Sequence, residues 1–365
     1  MRTKSILFIC ILLGANFVQL ACTKSPVVEP AIPKAKAAAG ATVLVTEAEI
    51  SALRLNKDRY AALIKGVTAK LDYQPTPVTD FSPDAHYNAD GVNTNGNNAK
   101  QLAADALMAY RSGFCYLVTG DARFAATTQR ILDGWAGTLT KVSTDQGKAD
   151  ISFNLPYMII AASWVRDANK WSSDPFSTFL RKTILPVSQI SKSNNHGLWG
   201  GLMNASAAVF LGDTKMLNAT RERWEVLMQE EVSADGSMPA EMERSATSNW
   251  RGGPDKGIRG MAYTHYALMP ASLTAKIFAD QGQPVWQSSG GKLLQSAYDR
   301  AAAWTLHPET FPYYASNNGQ LQGVRDAAYF VLLLPHFPNQ DAAAVVAQGN
   351  LGLNGFLIVE LFGKP

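Results

Sequence analysis

Apolar side chains recur every three or four residues through most of this 365-residue chain. That spacing is typical of helices that bury one face. Between residues 99 and 119 it forms a row with four-residue steps: Leu102, Ala106, Tyr110, Phe114 and Val118. The turn at 119–121 (TGD) ends this run, and a second row follows it: Phe124, Thr128, Ile131, Trp135 and Leu139. Two helices joined by so short a turn form an antiparallel hairpin.

The hairpin pattern repeats along the chain. Further helical runs are NLPYMIIAASWVRDA, FSTFLRKTILPVSQI, GGLMNASAAVFLGD, MLNATRERWEVLMQEEV, MAYTHYALMPASLTAKIFADQG and LLQSAYDRAAAWTL, and the Gly-Asp turn returns at 212–213. Alternating β-branched residues are scarce. Stacked hairpins need neighbours to cover their apolar faces, which favours a ring over a simple bundle. We therefore predict an all-α fold, an incomplete (α/α) toroid or barrel of antiparallel hairpins, with a cleft at one rim.

The first 45 residues have a different character. Residues 1–21 carry two early cations and an apolar run of about a dozen residues, which predicts a secretory signal peptide rather than a membrane-spanning helix. Ala21 precedes Cys22, so we expect cleavage before Cys22 and lipidation on it, with plain secretion as the alternative. Residues 22–45 are rich in proline and alanine and predict a tether. A single domain would then occupy 46–365, in a periplasmic or cell-surface lipoprotein or a secreted protein.

Charge and cysteine content exclude several classes of function. Loss of the signal peptide removes two cations and lowers the formal net charge from +3 to +1, too little to indicate nucleic-acid binding. Of the three cysteines, only Cys115 would remain without a lipid, so neither a disulfide framework nor a cysteine-rich metal site is expected. The five histidines have no recognisable metal-ligand spacing, and no nucleotide-binding motif occurs. We expect no cofactor and no metal.

The segment 235–268 holds the densest group of chemically active side chains. It contains cations, tyrosines and a histidine: Arg244, Arg251, Lys256, Arg259, Tyr263, His265 and Tyr266. A phenol has a pKa of about 10, which nearby cations lower, so such a tyrosine can exchange protons near neutral pH. The alternatives are a packed aromatic residue and a solvated basic loop. Upstream, Asn195 and His196 either form part of a site or make a helix-entry turn capped by Asn194.

Three segments together resemble the alginate lyase family of α/α-toroid polysaccharide lyases, in particular the poly-mannuronate lyases. They are NNHGLW at 194–199, DGSMPAEMER at 235–244 and RGMAYTHYAL at 259–268, and the resemblance extends over roughly residues 70–335. It implies cleavage of an acidic polysaccharide by β-elimination without a metal. In this reaction a base removes the proton on C5, next to the uronate carboxylate, and an acid protonates the departing glycosidic oxygen.

The same resemblance assigns roles to individual residues. Asn195 would donate a hydrogen bond to the carboxylate, and His196 would neutralise it or act as base for one stereochemistry. Tyr263 would be the acid and, for some substrates, also the base. Arg244 would hold the carboxylate or tune Tyr263. A further set would bind the sugar: Arg259, His265, Tyr266, Asn154 and Arg251. Trp199 and Tyr157 would stack on the sugar or form the wall of the cleft.

The spacing of the basic residues departs from the family pattern. Arg244 stands 19 residues before Tyr263, with SATSNWRGGPDKG between them, whereas family members have the arginine much closer to the tyrosine. Arg244, Arg259 or Arg251 could each fill the family role. The insertion also leaves the polymer open: mannuronate-rich alginate is the first expectation, and glucuronan or another β-linked polyuronate is the second.

Two other classes of function compete with a lyase. A glycoside hydrolase of the same architecture would need two carboxylates across a cleft, for which Asp235, Glu241 and Glu243 are candidates. Their neighbours are basic, which suits an anionic substrate better. A non-catalytic glycan-binding lipoprotein is the other competitor, and the presence of both His196 and Tyr263 argues against it.

Overall fold

Helices dominate the computed structural model, which describes residues 41–85, 96–246, 252–352 and 361–362. The first six are α1 (Glu47–Leu55), α2 (Ala61–Thr68), α3 (Asn97–Thr119), α4 (Ala122–Thr138), α5 (Asp145–Val165) and α6 (Asp174–Phe179). They are followed by α7 (Asn194–Leu211), α8 (Thr214–Glu231), α9 (Pro239–Met242), α10 (Gly260–Asp280), α11 (Ser289–Leu306), α12 (Phe330–Leu333) and α13 (Gln340–Gln348). The strands β1 (Asp80–Phe81) and β2 (Lys141–Val142) pair in parallel.

Short helical turns of other types connect these elements. The 3-10 turns lie at Lys57–Tyr60, Ala168–Lys170, Leu185–Val187, Gln189–Ser191, Pro308–Thr310 and Ala315–Asn317, and a π turn lies at Leu180–Ile184. The turn at Gln189–Ser191 packs directly on α7. This turn therefore helps to position α7.

The Gly-Asp turns work as the sequence predicts. Gly120 and Gly212 adopt left-handed backbone conformations, with φ of 71° and 65°, and end α3 and α7. Asp121 and Asp213 then cap α4 and α8, because their carboxylates accept hydrogen bonds from the backbone N–H groups of Arg123 and Met216. In the α3–α4 and α7–α8 hairpins, one dipeptide thus ends the first helix and starts the second.

The helices form an inner and an outer layer. In the inner layer α3 packs on α5, α5 on α7, and α7 on α10. The outer helices α4, α8 and α11 pack on α3, α7 and α10 respectively. The inner helices α5 and α7 bury residues on all sides, from Ile151 to Val165 and from Leu198 to Phe210, because they are covered on both faces. This arrangement is an incomplete α/α toroid and confirms the predicted fold class.

The packed domain begins earlier than residue 46. Val43, Leu44 and Val45 are almost fully buried. The backbone N–H of Val43 donates to Ser163 Oγ at 2.9 Å, and the indole of Trp164 donates to the carbonyl of Val43 at 2.9 Å. These residues therefore belong to the core and not to the predicted tether at 22–45. The predicted signal peptide, Cys22 and the rest of the tether up to residue 40 lie outside the described residues.

Cys115 is a buried residue of the core. Burial raises the pKa of its thiol to about 12, so the group is un-ionised at neutral pH and behaves as a small apolar side chain.

In the described part of the chain, none of the helices has the length and apolar character needed to cross a bilayer.

Close packing of α7 on the turn at Gln189–Ser191 explains one of two adjacent glycines. A Cβ on Gly200 would lie 2.2 Å from the backbone nitrogen of Ile190, whereas a Cβ on Gly201 would meet no atom within 4 Å. Because backbone cannot move aside as a side chain can, we expect Gly200→Ala to lower the free energy of unfolding by about 1–3 kcal/mol or more. Denaturation in urea measures the change.

Gly201→Ala is the matched control for this prediction. It removes the same backbone freedom from the same helix without a clash, so it should raise the free energy of unfolding by about 0.5–1 kcal/mol. Equal effects of the two substitutions would contradict the close approach of α7 to Ile190.

Candidate functional site

The first turns of three inner helices open onto one cavity of about 490 Å³. Asn195 and His196 lie at the start of α7, Tyr263 lies at the start of α10, and Gln146 lies at the start of α5. Arg244 lines the same cavity from the segment after α9. Helix N-termini carry partial positive charge, so their convergence favours an anionic ligand.

The inserted segment brings two arginines to the cavity rather than one. The backbone N–H of Arg259 donates to the carbonyl of Arg244 at 3.1 Å, and that of Gly257 donates to the carbonyl of Glu243 at 3.3 Å. Asp255 accepts a hydrogen bond from the N–H of Ala246 at 2.8 Å and joins the two arms of the excursion. The chain therefore leaves after Arg244 and returns beside it, and both Arg244 and Arg259 line the cavity.

Arg244 lies against Tyr263. Its guanidinium carbon is 4.9 Å from the centroid of the Tyr263 ring, a cation–π contact. Its Nε donates to the carbonyl of Ala240 at 3.1 Å and lies 3.6 Å from Glu241 Oε2. Ala240 and Glu241 thus hold the guanidinium on one side while it faces the ring of Tyr263 on the other. This is the cation beside a tyrosine that the sequence of the basic segment predicted.

Glu241 is a fully buried carboxylate beneath the site. Its Oε1 accepts hydrogen bonds from the backbone N–H of Asn195 at 2.7 Å and from Asn195 Nδ2 at 3.0 Å, and its Oε2 lies 3.0 Å from the same Nδ2. Burial raises the pKa of Glu241, while Arg244 and Asn195 oppose that effect. Glu241 therefore joins the start of α7 to Arg244.

A second buried glutamate supports the same turn. Glu231 Oε1 accepts from the backbone N–H of Asn194 at 2.6 Å, and Asn194 Oδ1 accepts from the N–H of His196 at 3.0 Å. Asn194 has a φ of 58°, a left-handed conformation that asparagine tolerates better than most residues. The Asn-Asn-His sequence is therefore a helix-entry turn and also part of the cavity wall, so both of its interpretations hold.

His196 is neutral at physiological pH. Burial lowers the pKa of its imidazole to about 4, and the nearby charges of Arg244 and Lys192 act in the same direction. Its ring packs against Phe153, with centroids 5.2 Å apart. A neutral imidazole accepts a proton or shares a hydrogen bond, but it does not neutralise a carboxylate as a cation. This favours the base among the two roles considered for His196.

Two aspartates in the cavity were missed in the sequence. Asp150, on α5, accepts from Gln146 Nε2 at 2.8 Å, and burial raises the pKa of its carboxyl to about 6. Burial also raises the pKa of Asp326, in the segment before α12. The four-residue spacing of Gln146 and Asp150, with Phe153 three residues further, marks one helix face and was the available signal.

Aromatic rings form the wall behind the reacting groups. Phe153 and Tyr266 line the cavity with centroids 5.7 Å apart. Trp199 is buried behind them, 5.0 Å from Tyr266 and 5.9 Å from Phe153. Of the two roles considered for Trp199, the structure favours support of the wall over stacking on a sugar.

Three other predicted sugar contacts lie elsewhere. His265 is fully buried, with its Nδ1 3.0 Å from Tyr329 Oη and its Nε2 3.2 Å from Thr305 Oγ1. Two residues after Tyr263, it stands on the opposite face of α10, where it cannot touch a polymer. Tyr157 is buried against Tyr110, with ring centroids 5.5 Å apart.

Asn154 donates to the backbone carbonyl of Asp150 at 2.8 Å and is not among the described residues that line the cavity. Arg251 lies outside the described residues. Arg259 and Tyr266 line the cavity, and their contact with sugar stays a prediction.

The carboxylates considered for a glycoside hydrolase are engaged outside the cavity lining. Glu241 is bound to Asn195, Glu243 pairs with Lys256 at 3.1 Å, and Asp235 accepts from Ser237. Within the described ranges, no three side chains of His, Cys, Asp or Glu are grouped so as to hold a metal ion.

Comparison with known proteins gives one family and a common fold. The family model described as alginate lyase matches residues 64–311. An alginate lyase from Bacteroides ovatus superimposes with a TM-score of 0.65 at 14% identity, covering 88% of this chain and 99% of that one. Alginate lyase A1-III from Sphingomonas species A1 gives 0.60 at 15% identity, covering 83% and 95%. No curated protein matches the chain.

Solved structures with a bound oligosaccharide are also similar to this chain. One of them is a tyrosine-to-phenylalanine variant of alginate lyase A1-III complexed with a tetrasaccharide, with a TM-score of 0.63 at 15% identity, covering 83% of this chain and 94% of that one. At these identities the likeness establishes the α/α toroid and not the chemistry.

The role of Glu241 yields a stability prediction. Glu241→Ala would leave the guanidinium of Arg244 and the N–H of Asn195 buried without their carboxylate, so we expect the free energy of unfolding to fall by about 3–5 kcal/mol. Urea denaturation followed by circular dichroism measures it. Glu222→Ala, an exposed glutamate on α8, is the control and should change stability by less than about 0.5 kcal/mol. A loss at Glu241 no larger than at Glu222 would contradict the proposed linkage.

Proposed function

The chain belongs to the alginate lyase family and is a polysaccharide lyase, and we propose that it cleaves mannuronate-rich alginate by β-elimination. The observation that carries the proposal is the shared cavity of Asn195, His196, Tyr263 and Arg244. It joins hydrogen-bond donors and a cation, which an anionic sugar needs, to a phenol and a neutral imidazole, which proton transfer needs.

The first task of the site is to make the C5 proton of a uronate removable. The adjacent carboxylate is already negative and resists the charge that develops when C5 loses its proton. Asn195 and Arg244 would bind this carboxylate, and the N-termini of α5, α7 and α10 add their partial positive charge. These groups are held before substrate binds, since Glu241 fixes both Asn195 and Arg244. Such preorganised charge stabilises a transition state without reorganisation.

The second task is transfer of two protons. A base takes the proton from C5, the electron pair left behind forms the C4–C5 double bond, and the bond from C4 to the glycosidic oxygen breaks. The hydroxyl of Tyr263 gives its proton to that oxygen. The phenolate that remains is stabilised by the guanidinium of Arg244 over its ring.

The identity of the base depends on the side from which the C5 proton leaves. The neutral imidazole of His196 would serve where this proton and the leaving oxygen are on opposite sides. Where they share a side, Tyr263 as phenolate would first take the C5 proton and then return it to the oxygen. We propose the second route for mannuronate. Glucuronan, whose residues differ from mannuronate only at C2, would follow the same route and remains the alternative substrate, whereas the first route would serve guluronate, the C5 epimer of mannuronate.

We also propose where the enzyme acts. Lipidation of Cys22 after loss of residues 1–21 would make it a periplasmic or cell-surface lipoprotein. Without lipidation it would be secreted. In either location it would meet an acidic polysaccharide, and a binding protein without activity is the competing function.

The decisive experiment follows ultraviolet absorbance during incubation with mannuronan, guluronan and glucuronan. Elimination creates an unsaturated uronate that absorbs, whereas hydrolysis creates reducing ends without it. We expect absorbance to rise fastest with mannuronan. Tyr263→Phe should lower the rate by about 10²–10⁴-fold, because it removes the acid while keeping the ring.

Tyr116→Phe, on α3 outside the cavity lining, is the matched control and should retain the rate. Reducing ends without absorbance would show that the protein is a hydrolase and not a lyase. Binding of the polymer without either product would favour a binding protein without activity. An unchanged rate in Tyr263→Phe would remove this tyrosine from the mechanism.

The charge state of His196 can be measured directly. With isotope-labelled histidine, we expect the ring signals of His196 to stay constant from pH 8 to about pH 5 and to titrate near pH 4, because burial disfavours the imidazolium. Loss of one signal in His196→Gln assigns it. Arg244→Gln removes a contributing cation and should raise this pKa while leaving it below about 6.5.

The same shift affects stability with a definite sign. The unfolded chain binds this proton at higher pH than the folded one, so the free energy of unfolding should fall as the pH drops from about 6.5 to about 4. A midpoint for His196 near 6.5 in the folded enzyme would contradict the neutral imidazole.

A further inference from the structure

We propose that Arg259 binds the carboxylate of the uronate next to the one being cleaved, so that the enzyme selects polymers with carboxylates on consecutive residues. The inference rests on the proposed function and divides the two cavity arginines between two sugar residues. Arg244 would serve the sugar that reacts, and Arg259 its neighbour.

The two guanidiniums come from adjacent backbone but are anchored in different places. Arg244 is held by Glu241 and the carbonyl of Ala240, and it faces Tyr263. Arg259 donates through its Nε to Gln322 Oε1 at 3.0 Å. One arginine is therefore tied to the reacting groups and the other to the segment after α11.

Gln322 is a firm anchor for Arg259. Its backbone N–H donates to the carbonyl of Ile258 at 2.9 Å, and its carbonyl accepts from the N–H of Ala262 at 3.1 Å. The segment is thus paired with the chain on both sides of Arg259. A guanidinium presents its N–H donors in one plane, and the bond through Nε sets that plane. A preorganised guanidinium of this kind suits a carboxylate.

The charge of the arginines is not cancelled by the two cavity aspartates. Asp150 accepts a hydrogen bond from Gln146 Nε2 at 2.8 Å, and among the described residues neither Asp150 nor Asp326 forms an ion pair with Arg244 or Arg259. Carboxylates of the polymer would be repelled by Asp150 and Asp326 and attracted to Arg244 and Arg259. Two cations at one cavity can accept two carboxylates, and consecutive uronates supply one each.

The test compares intact mannuronan with mannuronan in which about half of the carboxyl groups have been reduced to alcohols at random. For intact polymer, Arg259→Gln should raise KM by about 10–100-fold with a much smaller change in kcat, since a contact with the neighbouring sugar is made equally before and during the reaction. Arg259→Lys should recover part of the loss. Arg244→Gln should lower kcat itself, because its contact belongs to the reacting sugar.

The ratio of kcat/KM on intact and reduced polymer gives the decisive readout. In the wild type it should clearly exceed the roughly twofold expected from loss of cleavable residues, because many remaining uronates lack a charged neighbour. In Arg259→Gln it should fall to about twofold. An unchanged ratio in the variant, with activity intact, would overturn the role of Arg259 alone. Absence of elimination in the wild type would overturn the proposed function instead.

Discussion

The site depends on the contacts that the buried carboxylate of Glu241 makes with Asn195 and Arg244. The carboxylate binds both the backbone and the side chain of Asn195 at the start of α7, and it lies beside Arg244 after α9. A charge with no exposure to solvent is costly unless it is paired, so the contacts are mutually required. This carboxylate positions the donors from behind, because Glu241 itself does not line the cavity.

The cavity that results is divided by charge. The N-termini of three inner helices and two arginines favour negative groups, whereas Asp150 and Asp326 disfavour them. His196 adds no positive charge, because burial keeps it neutral. We therefore propose that the cavity orients an acidic polymer as well as attracting it, and that proton transfer falls to the phenol of Tyr263 and the imidazole of His196, which lie among the groups that would hold the carboxylate.

Much of the fold could be predicted from the sequence because its signals are local. Helical periodicity and the Gly-Asp turns at 120–121 and 212–213 depend on neighbouring residues only, and they define the hairpins. The segment 43–45 follows an alanine-rich stretch, and nothing in its local sequence separates it from the predicted tether. Its burial arises from contacts with Ser163 and Trp164, more than a hundred residues away, which no local pattern reveals.

Site residues that belong to a recognised motif could be predicted from the sequence. Residues that reach the cavity only through the three-dimensional path of the chain could not. Asn195, His196, Tyr263 and Arg244 share the cavity as expected. The adjacency of Arg244 and Arg259 depends on backbone bonds that close the excursion between them, and sequence spacing conceals it. The motif places His265 beside Tyr263 in the site, but on α10 it faces the core, where it is fully buried. The sequence does not predict Asp150 as a site residue, because a carboxylate would repel the anionic substrate that the other residues suggest.

The most direct measurement is a crystal structure of the inactive Tyr263→Phe variant with a mannuronate tetrasaccharide. The account predicts that the carboxylate of the central uronate lies within about 3.2 Å of Asn195 Nδ2 and of a guanidinium nitrogen of Arg244, with its C5 facing the ring of residue 263. A central carboxylate that points toward Asp150, or a sugar bound outside this cavity, would contradict it.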